Sequence, residues 1–493
     1  MRTAYRVETV RAAERALMAA LPGGTLMARA AAGLAAVVAR RLGRRRYGAR
    51  VVLLVGGGDN GGDALYAGAR LARRGTAVTA VLLRPDRAHA GGLAALRAAG
   101  GRTTGADAPG TGPLLARADL VVDGITGIGG RGGLRPDAAA LVARVAAAGV
   151  PVVAVDLPSG VDADSGEVRG EAVRAAVTVT FGAYKPGLLI DPGSAYAGEV
   201  LLVDIGLGPH LPPEADAVAL SDADVAALLP RPSGESDKYR RGVVGVVAGS
   251  ERYPGAAVLA VAGALRGGAG AVRYAGPAAH AVVGRHPETL VSDGPPHRAG
   301  RVQAWVVGPG VGEDPDAAER VGEVLASDVP VLIDADGLRG LDPDRLRART
   351  APTLITPHAG EAARLLGADR ADVEASRLAS ARELAARYGV TALLKGSTTV
   401  VADPAGRVRV NTTGTPWLAT AGTGDVLSGL TGALLATGLS PLDAASTGAH
   451  LHGLAGSLAP VPPTASTVAE ALPAAWRRVG AHDTGKADVS RTG

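Results

Sequence analysis

The sequence predicts an α/β protein of two domains, the first built on a doubly wound parallel sheet and the second a further α/β unit. Short, wholly apolar runs alternate with helical stretches along most of the chain. Such runs are strands buried on both faces, the mark of a parallel sheet between helices. The alternation breaks off in a Pro-, Gly- and Ser-rich region near residues 205–240 and then begins again. At 493 residues the chain also exceeds what one core holds. The expected domains are 1–218 and 219–480, followed by a disordered polar tail at 481–493.

Hydrophobic residues make up 47% of the chain and charged residues 20%, ordinary values for a protein with a large interior. Aromatics are only 3%, so the core must be Val, Leu and Ala, while 71 Gly and 32 Pro imply tight turns. The absence of cysteine excludes disulfides, thiolate zinc sites and cysteine nucleophiles. A net charge of +5 is small for this length. The cluster Arg40, Arg41, Arg44, Arg45 and Arg46 closes a helix, where cations suit the dipole. No aromatic residues are interleaved for stacking, so no nucleic-acid partner is expected. No signal-peptide pattern opens the chain and no apolar run reaches membrane length, which points to a cytoplasmic protein without a membrane partner.

In chain order, Val7 to Leu42 reads as two helices broken at Pro22-Gly23-Gly24. Val51 to Val55 is a strand, Gly56 to Asp63 a turn, Ala64 to Arg74 a helix and Ala77 to Leu83 a strand. Further strands lie at Leu120 to Val122, Pro151 to Val155, Val177 to Phe181 and Val200 to Val203, with a helix at Pro136 to Ala148. Ligands of such sheets sit beyond the carboxyl ends of the strands, where Asp59, Asn60, Asp63, Asp123, Asp156 and Ser159 fall. Gly56-x-Gly58-x-x-Gly61 formally matches a dinucleotide fingerprint, with Asp86 as a distant ribose acid. Asp59 and Asp63 would then face phosphate, so oxygen ligands for a hard cation beside substrate-touching carboxylates fit better. Taken singly, each of these residues is an ordinary turn or cap residue.

The second alternation starts at Gly242 to Val247, followed by a helix at Ala256 to Arg266. Strands at Ala304 to Val307, Val331 to Ile333, Thr353 to Ile355 and Thr391 to Leu394 each run into a polar or glycine-rich turn, and Thr399 to Ala402 returns as a hairpin arm. Ala421-Gly422-Thr423-Gly424-Asp425 then leads into an apolar helix, Val426 to Leu435. Unpaired N–H groups at a helix start make an anion site. A carboxylate there repels phosphate, so Asp425 is either a first-turn cap or a base for a hydroxyl held against a phosphoryl group. Lys395, before Gly396-Ser397-Thr398-Thr399, suits a polyphosphate tail or is a snorkelling edge lysine. His358 shares this strand-end edge with Asp334. His450 and His452, two apart on a helix, make no metal site. No Walker A or Gly-x-Ser-x-Gly sequence occurs.

Over about residues 5 to 480 these motifs resemble the bifunctional NAD(P)H-hydrate repair enzymes, which join an NAD(P)HX epimerase to an ADP/ATP-dependent NAD(P)HX dehydratase. The first half carries Asn60-Gly61-Gly62-Asp63, Asp123-x-x-x-Gly127-x-Gly129 and Val155-Asp156-Leu157-Pro158-Ser159-Gly160. The second carries Gly308-Pro309-Gly310-x-Gly312, Asp334-Ala335-Asp336, Thr356-Pro357-His358-x-Gly360-Glu361, Lys395-Gly396 with Thr399, and Ala421 to Gly429. The resemblance implies a Rossmann-like first domain and a ribokinase-like second one.

It also implies roles. Asn60, Asp123 and Ser159 would hold a potassium ion. Asp59, Asn60, Gly61, Gly62, Asp63, Gly127, Ile128, Gly129, Gly130, Arg131, Gly132, Gly133 and Asp156 would line the hydrate pocket, with Asp156 the acid–base group. Ala257, Gly312, His358 and Asp425 would contact hydrate in the dehydratase, with Asp425 as base. Lys395, Gly396, Ser397, Thr398, Thr399 and Gly424 would hold ADP or ATP with magnesium. A homo-oligomer is expected. Asp59, Ala64, Ala359 and Thr415 stand where the family usually has Asn, Gly, Pro and Asn. A ribokinase-like small-molecule kinase, a single-function NAD-binding protein and a non-enzymatic first half are the rival readings.

Overall fold

A computed structural model describes residues 1–231, 235, 237–292, 294–313 and 315–484, with side chains to residue 480. The chain divides into two compact units, one of Thr3–Ala217 and one of Met1–Arg2 together with the chain from Val218 onward.

In the first unit seven parallel strands lie in the spatial order Arg102–Gly105, Ala77–Leu82, Arg50–Val55, Leu120–Gly124, Val152–Val155, Val177–Phe181 and Glu199–Val203. The strand Arg50–Val55 shows why a continuous apolar run is needed. Val51, Leu53 and Val55 enter the core under the helices Thr25–Leu42 and Asp59–Ala72, while Val52 and Leu54 enter the core on the other face, with Leu141 and Val145 of helix Pro136–Ala148. Strand order reverses between Arg50–Val55 and Leu120–Gly124, which opens a crevice beyond their carboxyl ends.

The second unit repeats the scheme. Parallel strands run in the order Leu290–Ser292, Ala271–Ala275, Val243–Val247, Ala304–Val307, Val331–Ile333, Thr353–Ile355 and Thr391–Leu394. Thr399–Ala402 and Val408–Asn411 then extend the sheet antiparallel. Helix Thr423–Ala436 is buried over nearly all its length. A methyl added at Gly429 would meet the Ala260 carbonyl at 1.9 Å, and one at Gly263 the Val426 carbonyl at 2.2 Å. The backbones of helices Pro254–Arg266 and Thr423–Ala436 therefore touch, because glycine lies on both sides of the contact.

Several expected boundaries shift. The helix expected from Ala64 begins at Asp59, so Asp59, read as a turn residue, sits in its first turn, where the dipole favours it, and Asp63 lies one turn further on. The strands Ala271–Ala275, Leu290–Ser292 and Val408–Asn411 were not read from the sequence; they are short, and charged or hydroxyl residues interrupt each. The expected tail overlaps the last helix, Ala465–Thr484, and its remainder, 485–493, lies outside the described residues. Among the described residues no helix is long and apolar enough to cross a membrane.

Candidate functional site

In the first unit the crevice at the sheet's switch point is a cavity of about 730 Å³. Asp59, Asn60, Asp63, Gly127, Ile128, Gly129, Gly130, Arg131, Gly133 and Asp156 line it, with Arg11, Glu14 and Phe181. Gly61 and Gly62 do not line it; they are buried where helix Asp59–Ala72 starts against Gly56. Gly132 stands outside the lining, and Asp86 is exposed on a short turn, so no ribose acid lies where the fingerprint would need one. Asp59 is exposed at the lip. Ala64 is fully buried, and its methyl fits because Gly124 faces it.

Behind the cavity Asp123 and Ser159 are fully buried. Asp123 accepts from Ser159 N (2.8 Å), Ser159 Oγ (2.7 Å) and Ile125 N (3.2 Å), and Ser159 Oγ accepts from Thr126 N at 2.9 Å. Burial pushes the Asp123 carboxyl up to about 6 against these donors. The Asn60 amide nitrogen is buried without a partner, as is Asp63 Oδ1. Burial, then the charges of Asp156, Asp59 and Glu14, push Asp63 up to about 8.

Asp156 has φ 64°, and Leu157 N donates to Val155 O at 2.7 Å across it. This is the rarer, strained γ-turn, a conformation that costs a non-glycine residue about 1–3 kcal/mol. Lys185, fully buried, donates to Asp156 Oδ1 at 2.5 Å. The sequence reading missed Lys185, Glu14 and Arg11. A lysine three residues beyond the glycine turn that ends an apolar strand was a usable signal for the first; nothing local marks the other two, which come from a distant helix.

The second unit gathers its strand ends around the start of helix Thr423–Ala436. Gly422 caps that helix at φ 88°, a conformation glycine adopts without strain. Thr423 Oγ1 ties the turn to Leu418 O (2.8 Å) and Thr420 O (2.9 Å). Asp425 is half-buried, and burial, then Asp334, push it up to about 7, with Lys395 opposing. Lys395 Nζ lies 2.6 Å from Asp334 Oδ1 and 3.8 Å from Glu361 Oε2. Burial pulls the ammonium down, but the two acids more than offset this and raise it. His358 caps the next helix: its Nδ1 accepts from Gly360 N (2.9 Å) and Glu361 N (3.3 Å), and Glu361 returns a bond from His358 N at 2.7 Å. Burial holds its imidazole below the usual range.

A cavity of about 670 Å³ is lined by His358, Lys395, Gly396, Ser397, Thr399, Gly424 and His452. Thr398 is buried beside it. Gly312 borders a separate hollow of about 370 Å³ and donates its N–H to Asp336 at 3.1 Å. Ala257 is not brought to either by its side chain, which is fully buried against Gly249. His450 pairs with Asp222 at 2.8 Å, while the His452 ring turns to Thr423. Glu361 and His452 are additions to the predicted site residues, and Asp334, expected only on the same strand-end edge, turns out to bond Lys395. Asp334 and Glu361 stand inside motifs quoted from the sequence with no role assigned to them, and their pairing with Lys395 needed the fold.

A pocket lined by carboxylates and arginines on one parallel sheet, and a carboxylate at a glycine-capped helix start on another, define a two-site α/β enzyme. A family model described as NAD(P)H-hydrate dehydratase matches residues 244–475, and one described as YjeF-related protein N-terminus matches residues 23–187. The bifunctional NAD(P)H-hydrate repair enzyme of Mycobacterium leprae is 50% identical over 468 residues, 94% of this chain and 95% of the relative. That of Mycobacterium tuberculosis is 49% identical, covering 90% and 92%. The ADP/ATP-dependent NAD(P)H-hydrate dehydratase of Bacillus subtilis, co-crystallised with ATP and Mg²⁺, is similar at 30% identity and a TM-score of 0.49, covering 53% of this chain and 98% of that one. The chain belongs to the family of bifunctional NAD(P)H-hydrate repair enzymes, and it carries both activities, epimerisation and dehydration of hydrated nicotinamide cofactors.

Proposed function

We propose that the first cavity inverts C6 of (R)- and (S)-NAD(P)HX with Asp156 as the acid–base group, and that Asp425 drives dehydration of the (S)-epimer in the second unit. The C6 hydroxide is a poor leaving group. Asp425 takes the C6 hydroxyl proton as that oxygen attacks the terminal phosphoryl group of ADP or ATP, and the turn Gly422–Gly424 with Lys395 stabilises the charge in transit. The C6–O bond of the phosphorylated ring then breaks and C5 gives up a proton, so that the C5=C6 double bond of NAD(P)H forms as phosphate leaves; with ADP as donor the nucleotide leaves as AMP. One observation carries this reading: a half-buried carboxylate, poised near neutral by burial and Asp334, at the first turn of a buried helix.

Nucleotide would lie along Lys395, Gly396, Ser397, Thr398, Thr399 and Gly424, and hydrate against Gly312, His358 and Asp425. Among the described residues no group of three His, Cys, Asp or Glu could hold a metal. Magnesium therefore fits as an ion carried on the nucleotide phosphates. The side-chain oxygens of Asn60, Asp123 and Ser159 are hard donors, the kind that would hold a monovalent cation such as potassium.

Asp425→Asn should abolish nucleotide-dependent recovery of reduced-cofactor absorbance while nucleotide still binds. Recovery near wild type would remove Asp425 from the chemistry, and a stable phosphorylated product would favour the kinase reading.

A further inference from the structure

Lysine is rarely buried completely, and a buried ion pair stabilises a fold no better than apolar packing does. Lys185 is 1% exposed all the same. Its three N–H donors meet three acceptors: Asp156 Oδ1 at 2.5 Å, Thr180 Oγ1 at 3.0 Å and Phe181 O at 3.2 Å.

The pair joins two γ-turns, of which the one at Asp156 is strained. Asp156 is the centre of one γ-turn, and Gly182 (φ 67°) is the centre of another, closed by Ala183 N donating to Phe181 O at 2.7 Å. Phe181 links them, since its N–H donates to Asp156 Oδ1 at 3.2 Å while its carbonyl accepts from Lys185. Thr180 Oγ1 adds a third bond to the same oxygen, at 3.1 Å. The bonds from Lys185 Nζ, Thr180 Oγ1 and Phe181 N thus converge on Oδ1. Among the described residues Oδ2 accepts none, yet it is not a sealed orphan, and Asp156 lines the cavity.

We infer that Lys185 is the positioning residue of the epimerase site: it anchors one oxygen of Asp156 so that the other is held toward the hydrate. The inference rests on the reading of Asp156 as the acid–base group. The cavity beside Asp156 carries charge of both signs, with Arg11 and Glu14 from helix Val7–Ala19, Asp59 and Asp63 from helix Asp59–Ala72, and further arginines such as Arg131. Among the described residues Lys185 is the one cation that bonds the Asp156 side chain.

The test uses the full-length chain, purified (R)-epimer without nucleotide, and chromatographic measurement of exchange. Lys185→Met is expected to lower kcat at least about 100-fold with KM little changed, the signature of lost positioning. Thr180→Val keeps the ammonium and removes one anchor, so kcat should fall several-fold. A folded Lys185→Met protein with wild-type kcat would overturn the inference. Should that variant not fold, a wild-type kcat in Thr180→Val would overturn it instead. Asp156→Asn separates the two claims. Undiminished exchange in Asp156→Asn removes the underlying reading and the inference with it, whereas lost exchange there beside a wild-type Lys185→Met removes the inference alone.

Discussion

Asp334 and Asp425 belong to one electrostatic unit: the buried Asp334 carboxylate, held by Lys395 Nζ at 2.6 Å and Ser428 Oγ at 2.6 Å, helps push Asp425 up to about 7. Asp334 keeps its neighbour a usable base, while Lys395 keeps that neighbour from becoming too weak an acid.

Dehydration should therefore rise with pH through about 7 and level off above it, because only ionised Asp425 can take the hydroxyl proton. Asp334→Asn removes a negative neighbour, so the rising limb should move to lower pH. The pH dependence of kcat for NAD(P)H formation checks both.

Asp63 predicts an effect on stability. Its carboxyl rises from the ordinary 3.8 to about 8 on folding, so the folded unit holds a proton that the unfolded chain releases. The stability associated with this group is full below about pH 4 and is lost as pH rises toward 8. Asp63→Asn should abolish that loss and raise the unfolding midpoint of the first unit near pH 8, by an amount on the order of a few kcal/mol. Denaturant unfolding at pH 5 and pH 8 measures it.

Ser159→Ala strips two bonded partners from a fully buried cluster, leaving Asp123 short of a donor and Thr126 N without its acceptor. A loss of about 1–3 kcal/mol is expected. If Asn60, Asp123 and Ser159 hold potassium, wild type should unfold at higher temperature in potassium chloride than in lithium chloride, and Ser159→Ala should lose that difference. Calorimetry in the two salts decides the matter without reference to activity.

Gly429→Ala should damage the second unit and leave epimer exchange intact. The added methyl would overlap the Ala260 carbonyl, so helix Thr423–Ala436 must move and carry Asp425 with it. Overpacking of this kind costs about 1–3 kcal/mol. Lowered kcat for dehydration, beside unchanged exchange of the two epimers, is the expected pattern.

Much of both sites was legible in the sequence. Apolar runs buried on both faces announced parallel sheets, and in a parallel sheet every strand delivers its next residue to the same edge. That rule brought Asp123, Asp156, Asp334, His358 and Lys395 forward before any coordinates. It was weaker where contact replaces periodicity. Ala257 shares a helix with the site but points inward, and the helix expected to begin at Ala64 begins at Asp59 because acids in a first turn look like turn residues.

The sequence by itself determined the α/β class, the break between two alternations and the edge on which chemistry would gather, since these follow from hydrophobic period and glycine spacing along the chain. Only the tertiary structure decided which charges meet. Lys185 against Asp156, Lys395 between Asp334 and Glu361, and Glu14 reaching the cavity from another helix join residues far apart in number. An ion pair is set by ångström-scale distance and by burial, and neither quantity is written in local sequence order.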